Sequence, residues 1–319
     1  MPGSSHSRNA TLAALRGRRI LLTGASGFLG GALLDRCAAG GVEVVTLGRS
    51  PPRGPGATSH VEADLARPGA LRAALDGLRP GPRFDALVHL AVSRRHRDFP
   101  DGALDMFHVN ASAAAELLDF ARATGIGRAA FGSTGTVYGD VAEGEASREG
   151  EFRAPASYFA ASKLFADAMC GFYRTWFRLA TLRFYAPYGP GLGGRMLTDL
   201  AARVREGRPL SLPPAGPGLS FAATYVDDAI AVLVRALAEG WSEDVNVAAP
   251  EAWTIEGTGR LLGDLLGREP CFERRADVAA PRMLPDTARL RALMPDHAFT
   301  GLRDGLRAML AAPTGGAHG

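Results

Sequence analysis

The sequence predicts an α/β fold in which helices cover both faces of a parallel sheet. Two observations lead to this prediction. From Arg18 onward, short apolar runs alternate with helical stretches, and a glycine-rich turn separates the first apolar run from the first helix. Such an alternation favours βαβ units, which build a doubly wound parallel sheet. The composition agrees, because 46% hydrophobic and 22% charged residues are ordinary for a globular protein.

Apolar runs of three to six residues mark six predicted strands. They cover residues 20–22, 42–47, 60–63, 85–90, 129–131 and 180–184. Helices are predicted from the glycine turn through about residue 38, over 103–124 and over 158–177. Beyond Tyr188 the alternation gives way to Gly/Pro-rich loops at 189–194 and 213–218. We therefore expect a smaller substrate-binding region in the C-terminal part of the chain.

The expected domain organisation follows from this change of rhythm. The predicted parts are a nucleotide-binding domain at 18–187, a segment at 224–240 that packs back onto it, a mainly substrate-binding region at 188–312, and flexible tails at 1–17 and 313–319.

Charge, apolar runs and cysteines exclude several classes of protein. A net charge of +3 is small for 319 residues and does not indicate a nucleic-acid partner. No uninterrupted apolar run approaches the roughly 20 residues of a membrane span. The opening MPGSSHSRNA lacks the apolar core of a signal peptide. The three cysteines show no CxxC spacing, which favours neither a metal site nor disulfides. We expect a cytoplasmic protein with a small-molecule substrate, and neither a membrane nor a nucleic acid as partner.

The glycine-rich turn predicts the cofactor. Residues 23–30 read TGASGFLG, so the glycines fall as G-x-x-G-x-x-G between a strand and a helix. In a Rossmann-type fold, glycines there make the tight turn and let the backbone approach a pyrophosphate, which lies at the helix N-terminus. The residues expected to bind a dinucleotide are Gly24, Ser26, Gly27, Phe28, Leu29 and Gly30.

The end of the second strand favours NADP over NAD. An acidic residue there would bind the ribose hydroxyls of NAD. This chain has Gly48-Arg49-Ser50, with Arg53 close by. A guanidinium suits the 2′-phosphate of NADP. The alternative is that Arg49 is a solvated surface side chain.

Taken together, these motifs resemble the extended short-chain dehydrogenase/reductase family over almost the whole chain, from about residue 18 to 310. The resemblance rests on TGASGFLG at 23–30, HLA at 89–91, Asn110, STGTVYG at 133–139, FAASK at 159–163, YGPG at 188–191 and YVDD at 225–228. It implies a nicotinamide cofactor and, because family members are often dimers, a homodimer.

The resemblance also assigns roles to residues. It implies that Asp64 and Leu65 flank the adenine and that Leu90 and Ala91 lie along the cofactor. Lys163, the single lysine of the chain, would bind the nicotinamide ribose. Thr134 would bind the substrate carbonyl or hydroxyl, and Ser133 beside it would contact the substrate. The alternative for Thr134 is that its hydroxyl is satisfied locally at the strand end.

One departure from the family pattern concerns proton transfer. The family's catalytic Tyr stands four residues before the Lys, where this chain has Phe159, which carries no proton to transfer. Tyr158 is adjacent, but one residue along a helix turns a side chain about 100° away. It could act only if the helix start were displaced. The other candidate donors are Thr134, a water, Tyr185, Tyr188, or a hydroxyl beside the ketone of the substrate itself.

Two further departures concern the substrate. Ala186 stands where nucleotide-sugar enzymes have an Asn, and the sequence SFAA precedes YVDD where a phosphate-binding Arg often lies. Both losses remove groups that would recognise a diphosphate. The aromatic residues that could line a substrate site are Phe159, Phe184, Tyr185, Tyr188 and Phe221. The alternative for each is a place in the core.

Two groups near the fourth strand are less informative. The sequence Arg94-Arg95-His96-Arg97 follows this strand and could meet an anionic substrate or the cofactor phosphates. Exposure to solvent in a loop is the favoured interpretation. His89 lies within the strand and is predicted to be structural.

These observations predict an NADPH-dependent ketoreductase that acts on a bulky, polycyclic aromatic ketone of the polyketide antibiotic type. One alternative is a nucleotide-sugar epimerase, dehydratase or 4-ketoreductase with rearranged phosphate contacts. The other is an NADP-binding protein without turnover, which Phe159 would explain but the intact glycine turn and Lys163 disfavour.

Overall fold

The computed structural model describes residues 12–52, 56–151, 154–193 and 195–312. The chain divides into two compact units. Unit 1 comprises Met1–Val137, Arg153–Arg183 and Ile230–Val245, and unit 2 comprises Tyr138–Phe152, Phe184–Ala229 and Asn246–Gly319. Residues 138–152, which the sequence assigned to the nucleotide-binding domain, therefore group with unit 2. The predicted tails at 1–11 and 313–319 lie outside the described residues.

The strands have the following bounds in chain order. They are β1 Arg19–Thr23, β2 Glu43–Gly48, β3 Ser59–Glu62, β4 Ala86–His89, β5 Arg128–Thr134, β6 Arg178–Phe184, β7 Pro187–Tyr188, β8 Leu210–Leu212, β9 Ser220–Ala222, β10 Thr224–Tyr225, β11 Asp244–Val247, β12 Ala252–Thr254, β13 Phe272–Arg274 and β14 Arg282–Met283.

The α-helices are α1 Phe28–Gly40, α2 Ala70–Leu78, α3 Ala103–Phe107, α4 Ala113–Thr124, α5 Tyr158–Tyr173, α6 Met196–Glu206, α7 Val226–Glu239, α8 Ile255–Leu266, α9 Ala288–Leu293 and α10 Leu302–Ala311. A π-helical turn, His108–Ser112, joins α3 to α4, and a 3₁₀ turn, Gly135–Tyr138, follows β5.

The main sheet confirms the predicted Rossmann-type architecture. It has seven strands in the order β11-β6-β5-β4-β1-β2-β3 and is parallel. All six predicted strands are present within it. The strand order reverses between β1 and β4, which is where a doubly wound sheet opens a crevice at its carboxyl edge.

Burial of the strands explains why the sequence reads as continuous apolar runs. Ile20, Leu21 and Leu22 of β1 are fully buried, as expected of a parallel strand with helices on both faces. Val45, Leu87, Leu117 and other buried residues form the hydrophobic core on one side of the sheet. This rigid core positions the loops at the carboxyl edge.

Two predicted helices differ from the observed ones. The predicted helix 103–124 is interrupted by the π-helical turn His108–Ser112. The predicted helix 158–177 ends at Tyr173, because the chain must reverse within four residues to begin β6 at Arg178. The guanidinium of Arg174 supports this reversal by donating to the carbonyl of Leu179 at 3.1 Å.

The segment 12–17 is packed, in contrast to the flexible tail that the sequence predicted there. Leu12 and Leu15 are buried. The side chain of Leu12 fills the space over Gly40, where a Cβ would come within 2.6 Å of it. The amide of Gly17 donates to the carbonyl of Gly41 at 3.0 Å.

Unit 2 contains small sheets and a separate core. Its sheets pair β12 with β9 and β14, β13 with β8, and β10 with β7. The core gathers Tyr188, Phe221, Leu262 and Leu306. Across the described residues of both units, none of the helices is long and apolar enough to cross a membrane.

Candidate cofactor and active site

The glycine turn after β1 has a backbone that only glycine can adopt. Gly24 has φ +78°, and a Cβ there would lie 2.4 Å from the carbonyl carbon of Leu90. A Cβ on Gly30 would lie 2.1 Å from the carbonyl oxygen of Gly24. Real Cβ atoms do not approach so closely, so the turn, the end of β4 and helix α1 require both glycines. The predicted pattern therefore has the close packing that a dinucleotide-binding turn needs.

The start of α1 fits a pyrophosphate. Gly27 caps the helix with an extended backbone and no side-chain hydrogen bond. The first amides of any helix lack partners within it, and the helix dipole favours an anion there. Phe28, Leu29 and Gly30 supply these amides, and Ser26 is exposed beside them.

The other predicted cofactor residues lie at the carboxyl ends of neighbouring strands. Leu90 follows β4 and donates its amide to the carbonyl of Thr23 at 3.1 Å. Ala91 is next to it, against Gly24. Asp64 and Leu65 follow β3, and a carboxylate oxygen of Asp64 accepts from the amide of Ala66 at 3.1 Å. The carboxyl edge of the sheet thus gathers residues that are distant in sequence.

Arg49 directly follows β2 and is exposed. Within the described part of the chain its guanidinium forms no hydrogen bond or ion pair. It can therefore bind an added phosphate without breaking an existing contact. Arg53, the second arginine noted in the sequence, lies outside the described residues.

Lys163 is a buried ammonium on α5, with an exposed fraction of 5%. Burial lowers the pKa of Lys163, while the nearby carboxylate of Asp167, one helical turn later, opposes this shift. Its ammonium donates no hydrogen bond to the described residues. An added ribose would supply the acceptors that a buried ammonium needs, which fits a nicotinamide dinucleotide.

An ionic chain extends from Asp167 through the interior of unit 1. The Nε of Arg183 donates to Asp167 at 2.9 Å, and its Nη2 donates to Asp244 at 3.0 Å. Asp244 also accepts from Arg174 at 2.5 Å. Burial raises the pKa of Asp167, and the Arg183 guanidinium counteracts that effect. Sequence patterns did not reveal this series of ion pairs. Its only signal in the sequence is an acidic residue, Asp167, one helical turn after Lys163.

His89 has the structural environment that the sequence predicted. Its Nδ1 lies 2.7 Å from the hydroxyl of Thr23 on the neighbouring strand. Burial, assisted by the charge of Lys163, lowers the pKa of His89 to about 3. The imidazole is therefore neutral at ordinary pH.

Thr134 ends β5, and its hydroxyl has a local hydrogen bond. Such a bond was the alternative to a role in binding the substrate. Its hydroxyl oxygen accepts from the amide of Thr136 at 3.2 Å and lies 3.1 Å from the hydroxyl of Thr136. A hydroxyl that accepts an amide hydrogen still has its own proton to donate. Ser133 beside it is buried.

Helix α5 begins regularly. The hydroxyl of Ser157 caps it by accepting from the amide of Ala160 at 3.2 Å. The helix start therefore shows none of the displacement that Tyr158 would need in order to replace the family's tyrosine. Tyr158 instead stacks on Phe99, with ring centroids 5.2 Å apart.

Phe159 lies four residues before Lys163 and contacts His96, at a ring-centroid distance of 5.7 Å. The sequence favours a solvated loop for the segment 94–97. The structure agrees for Arg94, Arg95 and Arg97, which are exposed, but it places His96 half-buried against the residue that replaces the catalytic tyrosine. No local sequence signal indicates this contact, because it joins two segments about 60 residues apart.

Asn110 connects the loop of His96 to α5. Its side-chain oxygen accepts from the amide of Ser93 at 3.0 Å, and its Nδ2 donates to Ser162 at 3.0 Å. The hydroxyl of Ser162 donates in turn to the carbonyl of Phe159 at 2.8 Å. The π-helical turn carries Asn110, so this irregular turn holds loop and helix together.

The predicted aromatic lining of the substrate site is corrected by the structure. Tyr185, Tyr188 and Phe221 are 1–2% exposed in unit 2. Tyr188 and Phe221 belong to its hydrophobic core, and the Tyr188 hydroxyl packs so tightly on Gly305 that a Cβ there would lie 2.1 Å from it. Phe184 is buried as well. These side chains therefore stabilise the core, which was the alternative to a place in the lining of the substrate site.

Ala186 has a backbone conformation that suits another residue. Its φ of +33° lies in the left-handed region, where Asn and Gly are favoured over Ala. The structure thus retains the backbone of an Asn position without the amide side chain.

Comparisons with known proteins agree with this geometry. The model of the NAD dependent epimerase/dehydratase family matches residues 20–248. The chain belongs to this family. It is 26% identical to a dTDP-4-dehydro-6-deoxy-D-allose reductase of Streptomyces bikiniensis, over 91% of this chain and 96% of that protein. It is 25% identical to UDP-glucuronic acid decarboxylase 1 of Xenopus tropicalis, over 91% of this chain and 70% of that protein.

Among solved structures, the UDP-glucose 4-epimerase of Thermus thermophilus in complex with NAD matches with a TM-score of 0.77. The identity is 24%, over 92% of this chain and 97% of that one, so this likeness supports the fold. Membership of the epimerase/dehydratase family confirms the predicted enzyme, an NAD(P)-dependent oxidoreductase. Among the described residues, no group of His, Cys, Asp and Glu side chains could hold a metal ion.

Proposed function

We propose that this chain is an NADPH-dependent ketoreductase for a bulky polycyclic aromatic ketone of the polyketide antibiotic class, such as an angucyclinone. The observation that supports this most directly is Phe159 at the position of the family's proton-transferring Tyr, one helical turn before a buried Lys163. The glycine turn remains intact, which disfavours a protein that has lost the cofactor. A reductase among the relatives agrees with a reductive reaction.

The residues of unit 1 have distinct roles in this proposal. The amides at the start of α1 bind the pyrophosphate, and Arg49 binds the 2′-phosphate. Lys163 would hold the nicotinamide ribose, and Thr134 would donate a hydrogen bond to the carbonyl oxygen of the substrate. When bound, NADPH supplies the hydride for the carbonyl carbon.

The substrate class follows from groups that the chain lacks. Ala186 has no amide, and Ser220-Phe221-Ala222-Ala223 offers no guanidinium for a diphosphate. Without these two groups, a bound diphosphate would lack an amide and a guanidinium partner, which favours a substrate that carries no diphosphate. A hydroxyl beside the ketone would give the substrate its own proton donor, in place of the missing tyrosine.

The second candidate is a nucleotide-sugar 4-ketoreductase or epimerase. The names of the relatives favour it, since they include a dTDP-sugar reductase and a UDP-sugar decarboxylase. It requires that other residues bind the diphosphate in place of the Asn and Arg of the family pattern.

A homodimer is the proposed assembly. Several large apolar side chains of unit 1 are exposed on or next to α3 and α5: Leu104, Phe107, Phe165, Phe172 and Trp176. Such patches on soluble proteins mark interaction sites. A second copy of the chain is the partner that the family resemblance implies.

The decisive experiment measures the loss of reduced-nicotinamide absorbance, with NADPH and NADH tested separately. The ketones are a 4-keto nucleotide sugar and polycyclic aromatic ketones with and without an adjacent hydroxyl. We expect turnover of aromatic ketones with NADPH and none of the sugar. Turnover of the sugar alone would support the second candidate.

The same assay tests the cofactor with the Arg49→Asp variant. Loss of a charge-assisted contact of about 1.5–3 kcal/mol should raise the KM for NADPH roughly 10- to 100-fold. The carboxylate should improve the KM for NADH, because it can bind the ribose hydroxyls. Arg205→Asp on α6 is the matched control, because this arginine is exposed and, like Arg49, forms no hydrogen bond or ion pair with the described residues. An unchanged KM for NADPH in Arg49→Asp would contradict the proposed role of Arg49.

A further inference from the structure

We propose that His96 is the proton donor that replaces the missing tyrosine. This inference rests on the proposed reduction of a ketone and assigns one further catalytic residue to it. Three features of unit 1 support it: the contact between His96 and Phe159, the hydrogen bond that orients the imidazole, and the polar tether that holds its loop against α5.

The first feature is position. The imidazole packs against the Phe159 ring, with centroids 5.7 Å apart and planes tilted by 56°. Phe159 occupies the helical position from which a tyrosine would present its hydroxyl one turn before Lys163. His96 is therefore a side chain with an exchangeable proton next to the ring that lacks one. The ring of Tyr158, the other candidate nearby, stacks on Phe99, and it lies one residue away from the position of the family's tyrosine on a regular helix.

The second feature is the orientation of the ring. Nδ1 of His96 lies 3.2 Å from the carbonyl oxygen of Ser93. A carbonyl can only accept, so Nδ1 carries a proton in this bond. Nε2 then carries a proton only in the imidazolium form. Loss of the Nε2 proton leaves a neutral tautomer that keeps its bond to Ser93, so the ring need not move during transfer.

The third feature is the fixed loop. The amide of Ser93 donates to Asn110, which also binds Ser162 of α5. The hydroxyl of Ser93 donates to Asp105 of α3 and accepts from the amide of Arg95. A group whose loop is held by buried and partly buried hydrogen bonds has the fixed position that general acid catalysis requires.

The proposed step balances in atoms and charge. The carbonyl carbon gains the hydride that the cofactor supplies, and the C–O π electrons move to oxygen. The carbonyl oxygen gains the proton from Nε2 of His96, with Thr134 donating a hydrogen bond to the same oxygen. His96 becomes neutral, and because its Nε2 is buried, it regains a proton from a water molecule that enters when the product leaves. Histidine suits this task because its ordinary pKa lies closest to neutral pH.

His96→Asn is the informative variant. Its side-chain amide can replace the Nδ1 contact to the carbonyl of Ser93, while the proton at the Nε2 position is lost. We expect kcat/KM for the aromatic ketone to fall roughly 100- to 10,000-fold, the range for loss of a positioned acid. NADPH affinity, measured by fluorescence titration, should stay unchanged. His60→Asn, at a half-buried histidine of β3 whose Nδ1 contacts the hydroxyl of Thr46, is the matched control and should retain wild-type activity.

A second variant restores the family's acid. Phe159→Tyr combined with His96→Asn should recover much of the lost activity, and its activity should depend on pH differently. In the wild type, kcat/KM should fall as the pH rises and His96 loses its proton; in the double variant that fall should move to higher pH, because a phenol ordinarily ionises at higher pH than an imidazole. The charged residues of the His96 loop, Arg94, Arg95, Arg97 and Asp98, and Asp105 on α3, which accepts from Ser93, stay unchanged in every variant.

A measurement without turnover completes the test. In protein labelled at histidine with ¹³C, the signal absent from His96→Asn belongs to His96. Adding NADP⁺ and the alcohol product should shift this signal and not that of His60.

Three outcomes overturn the proposal. Activity of His96→Asn within about threefold of wild type, together with failure to reduce ketones that lack an adjacent hydroxyl, would identify the substrate as the proton donor and leave the proposed function intact. Loss of NADPH binding in His96→Asn would assign the residue a structural role. Absence of any ketone turnover by the wild type would contradict the proposed function and this inference together.

Discussion

At the scale of single residues, His89 shows how a buried neutral group affects stability. Burial and the charge of Lys163 lower its pKa to about 3 in the folded state. In the unfolded chain a histidine has a pKa near 6.5. Between these values the unfolded state binds a proton that the folded state does not. The free energy of unfolding therefore decreases as pH falls from about 6.5 towards 3, by about 1.4 kcal/mol per pH unit from this group.

His89→Asn should remove this contribution, because Asn can keep the contact to Thr23 and does not titrate. We expect the wild type to lose about 1.4 kcal/mol more than the variant between pH 5.5 and pH 4.5, measured by urea unfolding. His60→Asn is the control, since Nδ1 of His60 lies 2.9 Å from the hydroxyl of Thr46 in the same manner but the side chain is only half-buried. Parallel pH curves for the wild type and His89→Asn would refute the expectation.

Single residues also mark where sequence patterns give incomplete information. The sequence motif identified Phe159 as a departure, because a missing hydroxyl is visible in the sequence. It did not identify His96 as its neighbour, because that contact depends on how a loop folds back onto α5. Aromatic composition likewise could not separate a substrate lining from the core, and Tyr188 and Phe221 proved to be core.

At the scale of elements, the strands and the glycine turn could be predicted because each depends on a local pattern. Apolar runs identified the six strands, and three glycines identified the turn between β1 and α1. The π-helical turn His108–Ser112 could not be predicted in this way. It presents Asn110 to Ser93 and Ser162, and those partners are 17 and 52 residues away. Long-range hydrogen bonds override the regular helix that local propensity favours.

Helix α5 and strand β6 depend on the buried pair of Asp167 and Arg183. Asp167→Asn should lower the free energy of unfolding by about 1.5–3 kcal/mol, because it removes one of the two carboxylates that pair with the buried Arg183 guanidinium and keeps the other, Asp244. Asp199→Asn on α6 is the control: Asp199 also pairs with an arginine, Arg203, at 2.9 Å, but its side chain is 55% exposed. Such an exposed pair contributes at most about 1 kcal/mol. Equal decreases in the free energy of unfolding of the two variants would show that burial does not strengthen the Asp167 pair.

At the scale of the whole molecule, the exposed apolar side chains of α5 predict self-association. Phe172 and Trp176 are 78% and 67% exposed, an unfavourable arrangement for a protein that remains monomeric. In a twofold-symmetric dimer every interface residue is buried in both copies of the chain. Burial of one Phe contributes about 1.5–3 kcal/mol, so its loss from both copies should weaken a dimer at least 100-fold.

Phe172→Glu should therefore convert the dimer to a monomer at micromolar concentration, as measured by size-exclusion chromatography with light scattering. Ala38→Glu adds the same charge at an exposed position of α1 and should leave the dimer intact. The groups proposed for chemistry lie on other positions of unit 1, so the monomer should retain NADPH binding. A wild-type protein that already elutes at the mass of one chain would contradict the proposed assembly. If Phe172→Glu remained a dimer, the interface would have to lie away from α5. Two carboxylates buried against each other across a twofold axis would be strongly unfavourable.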